Sequence, residues 1–411
     1  MTRTNRVDGI PPITVVGVGG GGCNAVNRMI TDEIRGVDFV AINTDNQQLE
    51  QSLASTIVRI ADADSGGLGV GGDPERGARA AENAREEIST YFNDVDMVFI
   101  TAGMGGGTGT GAAPVVAEVA KAAGALTIAV VTRPFDFEGV PRARAAQRGI
   151  EFLETVADTV IVIPNQSLID LNDRNVTVTQ AFHKADEVLR QGVKGISEVL
   201  TVPGEINLDF NDVKKVMDGG GHALMALGRG SGENRAIDAA EEAVRSPLLE
   251  TSIDGSTRVL YNITSAGDLG MLELQHVANF IRERVHPEAE IIMGTVIDPE
   301  LDGDVQITVI ATGFADRVPQ ATVAAPQFSQ QFQQQPQQAY SSGFTAPAPA
   351  SAQPRPDHAE LAQRLLDSVD LSNQADLSTP AYLRRREPAS NGSNGSGRHF
   401  PRWDPNAGRQ D

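Results

Sequence analysis

One cysteine in 411 residues leaves no internal disulfide to form, which fits a reducing compartment. No apolar stretch approaches the roughly 18 residues that argue for a membrane span. The first ten residues are polar and lack the apolar core of a secretory signal. No G-x-x-x-x-G-K-[ST] occurs, so the P-loop reading fails on its missing lysine. The six histidines show no metal-ligand spacing, and no protein metal site is expected. Positive charge is also scarce: 34 Lys and Arg stand against 54 Asp and Glu, a formal net charge of −20. The deficit is uneven. From Arg317 onward 9 Arg nearly balance 8 acids, so the preceding body carries 25 basic and 46 acidic residues. Such a body repels a nucleic-acid backbone, which argues against that class of partner. Simple solubility accounts for the charge equally well.

What the chain does have is glycine, concentrated in two loops about 80 residues apart. The first, Gly19-Gly-Gly-Gly22-Cys23-Asn24, follows an apolar run at Ile13–Val18 and precedes a helical pattern through Ala25, Val26, Met29 and Ile30. The second, Gly105-Gly-Gly-Thr108-Gly-Thr-Gly111, follows the apolar run 97–101 and precedes a helix predicted over 112–123. Glycine lets backbone N–H groups converge on an anion, and the following helix adds the positive end of its dipole. Two such loops in one domain point to a polyphosphate gripped from both sides.

Residues 12–176 alternate strands and helices, as βαβ units around a mainly parallel sheet do. Strands are predicted at Ile13–Val18, 39–43, 97–101, 127–132 and Thr159–Pro164, and a helix over 73–91 opened by Asp73-Pro74. A long helix follows at about 178–200, within a connecting segment 177–202. Residues 203–316 read as a smaller α+β domain, with helical patterns at 213–217, 236–244 and 272–285 and strands at 258–263, 290–296 and 305–313. The fold class is therefore α/β, a Rossmann-like parallel-sheet domain joined by a long central helix to a second α+β domain. Residues 1–11 are expected to be flexible. Residues 317–375, rich in Gln, Pro and Ala, read as a disordered linker, with a short helix expected over 357–369. The compact motif 376–386 follows, and a polar tail occupies 387–411.

Gly17-x-Gly19-x-x-Gly22 satisfies the dinucleotide pattern, with Asp45 beyond it, and alone would make a nicotinamide-dependent enzyme the default. That reading leaves the second loop unexplained. Together with Ala41-Ile-Asn43-Thr-Asp45, Thr132-Arg-Pro-Phe135 and Asn207-Leu-Asp209-Phe-Asn-Asp212, the two loops resemble the tubulin/FtsZ superfamily, and its FtsZ branch rather than tubulin. The resemblance runs over about 12–316 and again at 376–386.

This resemblance implies a GTPase that polymerises head to tail and forms the cytoplasmic division ring at mid-cell. It implies phosphate contacts from Gly20, Gly21, Gly22, Cys23 and Asn24, and from Gly106, Gly107, Thr108 and Gly109. Glu138 and Arg142 match ribose and phosphate contacts, and Asn165, Phe182 and Asp186 match base contacts. Phe182 and Asp186 also make independent sense, because residues four apart share a helix face. An aromatic ring could stack on a purine while the carboxylate accepts from guanine N1–H and its amino group, favouring GTP over ATP. An exposed acid beside a core aromatic is the plainer alternative. Cys23, at a helix start, is either a thiol of lowered pKa whose alkylation blocks nucleotide entry or a small residue filling a small gap.

Asp209 and Asp212 are compatible with an ordinary helix start. The resemblance implies instead that these acids enter the neighbouring subunit's pocket, polarise the attacking water and complete hydrolysis there. Cofactors implied are GTP and GDP, Mg²⁺ with the nucleotide, and a monovalent cation. A non-hydrolysing structural paralogue is the remaining rival. The 376–386 motif resembles a recognition peptide for membrane-tether and division-regulator proteins; it offers Leu377, Pro380, Tyr382 and Leu383 before a basic run. A disordered basic patch is the alternative. Three arginines are too few for stable membrane anchoring, so no direct membrane insertion is expected.

Overall fold

The computed structural model describes residues 11–61, 66–169, 176–202, 204–246, 248–249 and 252–314. The expected linker, its short helix, the 376–386 motif, the final tail and nearly all of the N-terminal segment lie outside the described residues. In chain order the first elements are β1 (Ile13–Val18), α1 (Gly19–Thr31), β2 (Val37–Asn43), α2 (Asn46–Glu50), β3 (Thr56–Arg59), α3 (Pro74–Asn83) and α4 (Arg85–Thr90). Next come β4 (Met97–Gly103), α5 (Thr108–Ala122), β5 (Leu126–Arg133), α6 (Val140–Val156), β6 (Thr159–Pro164) and α7 (Asn165–Ile169). The long helix α8 (Val178–Thr201) leads to α9 (Phe210–Met217), β7 (Gly221–Gly230), α10 (Arg235–Val244) and β8 (Arg258–Ser265). The described chain closes with α11 (Met271–Arg282), β9 (Glu290–Ile297) and β10 (Val305–Thr312).

The strands form one sheet in the order β3-β2-β1-β4-β5-β6-β7-β10-β8-β9. From β3 to β6 every pairing is parallel, and β1 is flanked by β2 and β4. Parallel strands need both faces covered, and the central strands β1, β4 and β5 are accordingly almost wholly buried and mostly apolar. One face packs Met97, Phe99, Ile128 and Val130 against α1, α8 and α9. The other packs Val98, Ile100, Ala129 and Val131 against α3, α5 and α6. A third core lies under α10 and α11, around Tyr261, Val277 and Ile281.

The boundaries differ from the sequence reading where glycine or capping intervenes. The helix predicted over 73–91 is two helices, broken at Ala84 (φ −99°, ψ 7°). Its start is as expected, with Asp73 accepting from the amides of Glu75 and Arg76. The helix predicted from 112 begins at Thr108, so glycines assigned to the loop form its first turn. β7 was unread because Gly228 and Gly230 depress strand propensity. They are there for packing: a Cβ on Gly228 would lie 2.0 Å from the Ala239 carbonyl oxygen, and one on Gly230 would lie 1.9 Å from that of Arg235. α10 rests directly on the strand.

Candidate nucleotide site

Strand order reverses between β1 and β4, and in open α/β sheets ligands bind at that point beyond the carboxyl ends of the strands. Both glycine loops stand there, because Val18 and Ala102 are partners in adjacent strands. α1 and α5 begin without a side-chain cap and without an acid in the first turn. By contrast α2, α3, α8 and α9 are capped by Asp45, Asp73, Thr177 and Asp209. Two uncapped helix starts at one switch point leave amide donors and two positive dipole ends for an anion.

The glycines divide by job. Gly17, Gly22, Gly109 and Gly111 are packed against backbone; a Cβ on Gly22 would lie 2.2 Å from the Thr101 carbonyl oxygen, and one on Gly111 would lie 1.9 Å from that of Pro74. Gly106 meets nothing within 4 Å, so it borders open space. Thr108 and Thr44 share a 2.7 Å hydroxyl contact that ties the end of β2 to the second loop. Thr110 accepts from the Gly105 amide at 2.8 Å.

A cavity of about 440 Å³ opens beside the first loop between α1 and α8, lined by Asn24, Asn27, Arg28, Asp32, His183 and Asp186. Burial pushes the Asp186 carboxyl up to about 6, and the Arg28 guanidinium only partly offsets this. One turn earlier, Phe182 remains 42% exposed. Its ring stands edge-on to Phe135 at 5.3 Å and to Phe137 at 6.4 Å, and those two stack at 5.2 Å. Asn165 is buried with its Oδ1 lacking any hydrogen-bond partner, a group that a bound ligand could satisfy. Glu138 accepts from the Phe135 amide at 2.9 Å and forms an ion pair with Arg142. The fold therefore gathers Asn24 and Asp186 on one cavity, and groups Phe182 with the segment that carries Glu138. Arg28 and Thr44 also belong here and were given no role from sequence; position at a strand end could have flagged Thr44.

Cys23 fits the plainer of its two readings, a small residue filling a small gap. Its side chain is 2% exposed, its thiol donates weakly to the Gly17 and Ile42 carbonyls, and burial pushes its pKa up to about 12. Burial raises the thiol pKa rather than lowering it, which favours the small-residue reading.

Asp209 and Asp212 stand elsewhere. α8 runs beside α1 in the same direction: His183 contacts Arg28, Arg190 pairs with Asp32 at 3.0 Å, and Thr201 packs on Gly36 just before β2. Twenty-four residues of α8 span about 36 Å. α9 follows at the amino ends of the strands, where the Met217 carbonyl accepts from Thr159 at the start of β6. Asp209 caps α9 by accepting from the Asp212 amide at 3.0 Å, and Asp212 pairs with Lys215 at 3.3 Å. The acids and the glycine loops thus occupy opposite ends of one sheet. Among the described residues no group of three or more His, Cys, Asp or Glu is placed to hold a metal ion. Nor is any described helix long and apolar enough to cross a membrane.

Residues 12–173 match the Tubulin/FtsZ family, GTPase domain, and residues 221–315 match the FtsZ family, C-terminal domain. The empty FtsZ dimer of M. jannaschii is 46% identical with TM-score 0.71, covering 74% of this chain and 88% of that one. A tryptophan-to-tyrosine mutant of M. jannaschii FtsZ is 45% identical with TM-score 0.72, over 74% and 92%. CetZ2 from Haloferax volcanii, as a GTPgS-bound protofilament, is 20% identical with TM-score 0.64, over 74% and 93%, a likeness of fold alone. These matches set aside the dinucleotide reading of the first loop. Two uncapped helix starts at a switch point, both family matches and 46% identity across most of a solved relative make this chain a member of the FtsZ family of tubulin-like GTPases.

Proposed function

We propose that the protein binds GTP at the switch point of its sheet and polymerises head to tail. Hydrolysis is completed when Asp209 and Asp212 of one subunit enter the pocket of the next. The observation that carries this reading is the separation of the acids from the loops by the length of α8. Within one chain the acids cannot orient a water on the terminal phosphate; a head-to-tail contact brings the two ends together. Such a heterologous contact propagates as an open filament. The M. jannaschii relative is described as a dimer, which supports self-association.

In this reading the amides of Gly20, Gly21, Gly22, Asn24 and Gly106 to Gly109 hold the phosphates. Glu138 and Arg142 face the ribose and phosphate, Phe182 stacks on the base, and Asp186 with Asn165 selects guanine. Asp209 and Asp212 polarise the attacking water. The Thr44 and Thr108 hydroxyls are hard oxygen donors that would suit Mg²⁺ carried with the nucleotide, which would supply charge neutralisation at the phosphates. A monovalent cation would accompany it near the terminal phosphate. Domain limits of 12–176 and 203–316 joined by 177–202 follow the same reading. The filament forms the cytoplasmic division ring at mid-cell, tethered through 376–386 by membrane-bound and regulatory division proteins.

The test is GTP turnover per subunit against protein concentration, with polymer sedimented in parallel. A shared threshold for activity and pelletable polymer is expected. Turnover per subunit that stays constant on high dilution would show a catalytically complete monomer and refute the shared site.

A further inference from the structure

α9 is eight residues long, too short to hold its own position, yet every carbonyl of its last turn is occupied. The Lys214 oxygen accepts from the Asp218 amide at 2.8 Å, and the Met217 oxygen from the Gly220 amide at 3.0 Å. The rest is done by side chains from three strands. Thr159 at the start of β6 also reaches the Met217 oxygen. Thr312 at the end of β10 donates to the Val216 oxygen at 2.9 Å. Arg258, the first residue of β8, takes three carbonyls with one guanidinium. Its Nη1 donates to Lys215 at 3.1 Å and to Asp218 at 2.9 Å, and its Nη2 donates to Gly219 at 3.2 Å.

We infer that Arg258 is a positioning residue for hydrolysis, which rests on the assignment of Asp209 and Asp212 to the neighbour's pocket. The planar fork of Arg fixes the helix end in two directions, and its charge meets the negative end of the helix dipole. Asp212 lies about one and a half turns from that end and Asp209 just over two, so α9 carries their position as a short rigid arm. Thr312 and Thr159 secure the same end against rotation. If the arm pivots by about an ångström, the acids still reach the contact but no longer align a water on phosphorus.

The full-length Arg258→Met variant keeps the aliphatic stem and removes the fork. Its own nucleotide pocket lies at the opposite end of the sheet, so its GTP Kd is expected within about twofold of wild type. Polymer should still pellet, KM should hold, and kcat should fall about tenfold. Arg258→Lys should be intermediate, and Thr312→Val should shift kcat in the same direction. A mixing experiment separates positioning from general damage. In an equal mixture with Phe182→Ala/Asp186→Ala subunits, whose acids are intact, about a quarter of random contacts pair an Arg258→Met pocket with sound acids. Turnover should rise to roughly that fraction of wild type. An equal mixture with Asp212→Ala subunits should show no such rise.

Wild-type kcat in Arg258→Met would overturn the proposal, as would loss of GTP binding or failure of the first mixture to recover. Full activity of Asp212→Ala alone would overturn the shared-site reading instead, and the Arg258 assignment with it.

Discussion

Gly19 and Gly109 are set so closely that a Cβ on Gly19 would lie 2.7 Å from the Gly109 amide nitrogen. The two glycine loops are therefore one object, each forming the back wall of the other. Gly19 also sits at φ +70°, a conformation that costs an L side chain roughly 1–2 kcal/mol. Gly19→Ala should lower the melting temperature by several degrees and weaken GTP binding by at least about 100-fold, because both loops must shift. Calorimetry and nucleotide titration of the purified variant check both effects; a GTP Kd close to wild type would show that the loops act separately.

Asp186 gives a pH dependence with opposite signs for stability and binding. Its folded pKa is raised to about 6, so the fold disfavours the charged form. The stability tied to this group is complete below the ordinary carboxylate range and is lost as pH rises through about 6. In the proposed site guanine recognition would require the carboxylate, so GTP affinity should be level above pH 7 and fall as pH drops through 6. Asp186→Asn should bind roughly 10–100-fold more weakly at pH 7.5 with a flattened profile, consistent with a lost charged hydrogen bond. Isothermal titration between pH 5 and 8 decides; an unchanged profile in the variant would assign the titration to another group.

Asp209 caps α9, and the proposed mechanism gives it a second, hydrolytic role that substitution can separate from the first. As the α9 cap it contributes about 1 kcal/mol, which Asp209→Ala loses and Asp209→Ser keeps. Both variants should lose GTP turnover by at least about 100-fold while binding GTP normally. Only the alanine variant should also unfold at lower denaturant. Asp212→Ala should likewise bind GTP and fail to hydrolyse it. Equal activity in Asp209→Ser and wild type would leave Asp209 a cap only.

Cys23 should resist iodoacetamide at pH 8 in the native protein, because the thiol is buried and its pKa stands near 12. Intact-mass measurement should show no adduct until the chain is unfolded. Rapid native labelling would mean that the first loop opens far more than its packing implies.

Much of the nucleotide half was legible because its strands are apolar on both faces. Ile13–Val18 and Thr159–Pro164 were bounded to the residue. Asp73-Pro74 marked a helix start by side-chain chemistry that does not depend on the rest of the fold. What was illegible depended on contacts distant in sequence. Thr108 and Gly109 read as loop by propensity, but they open a helix packed on distant chain: Gly77 of α3 lies against Thr108, and the Gly103 carbonyl lies against Gly109. The Cys23 pKa followed from which way one side chain turns, a matter of packing against β2 rather than of its place in a helix. Asp186 was named by the family resemblance, with its spacing from Phe182 in support, whereas Arg28, its electrostatic neighbour, belongs to a helix about 160 residues earlier and had no local signal. Arg258 was unreadable for the same reason, since its partners come from α9 and the turn beyond it.

β7 is the strand at which the one sheet changes from parallel to antiparallel pairing. Its first three residues pair in parallel with β6, and the next seven pair antiparallel with β10. Apart from helices laid across it, the sheet is continuous there by only those three parallel rungs. A pulling force applied between the two halves would load the rungs in shear, together with α8 along its axis. The strand that makes the sheet whole is thus also its mechanical fuse, and stretching one molecule should part the halves at β6–β7 before either core unravels.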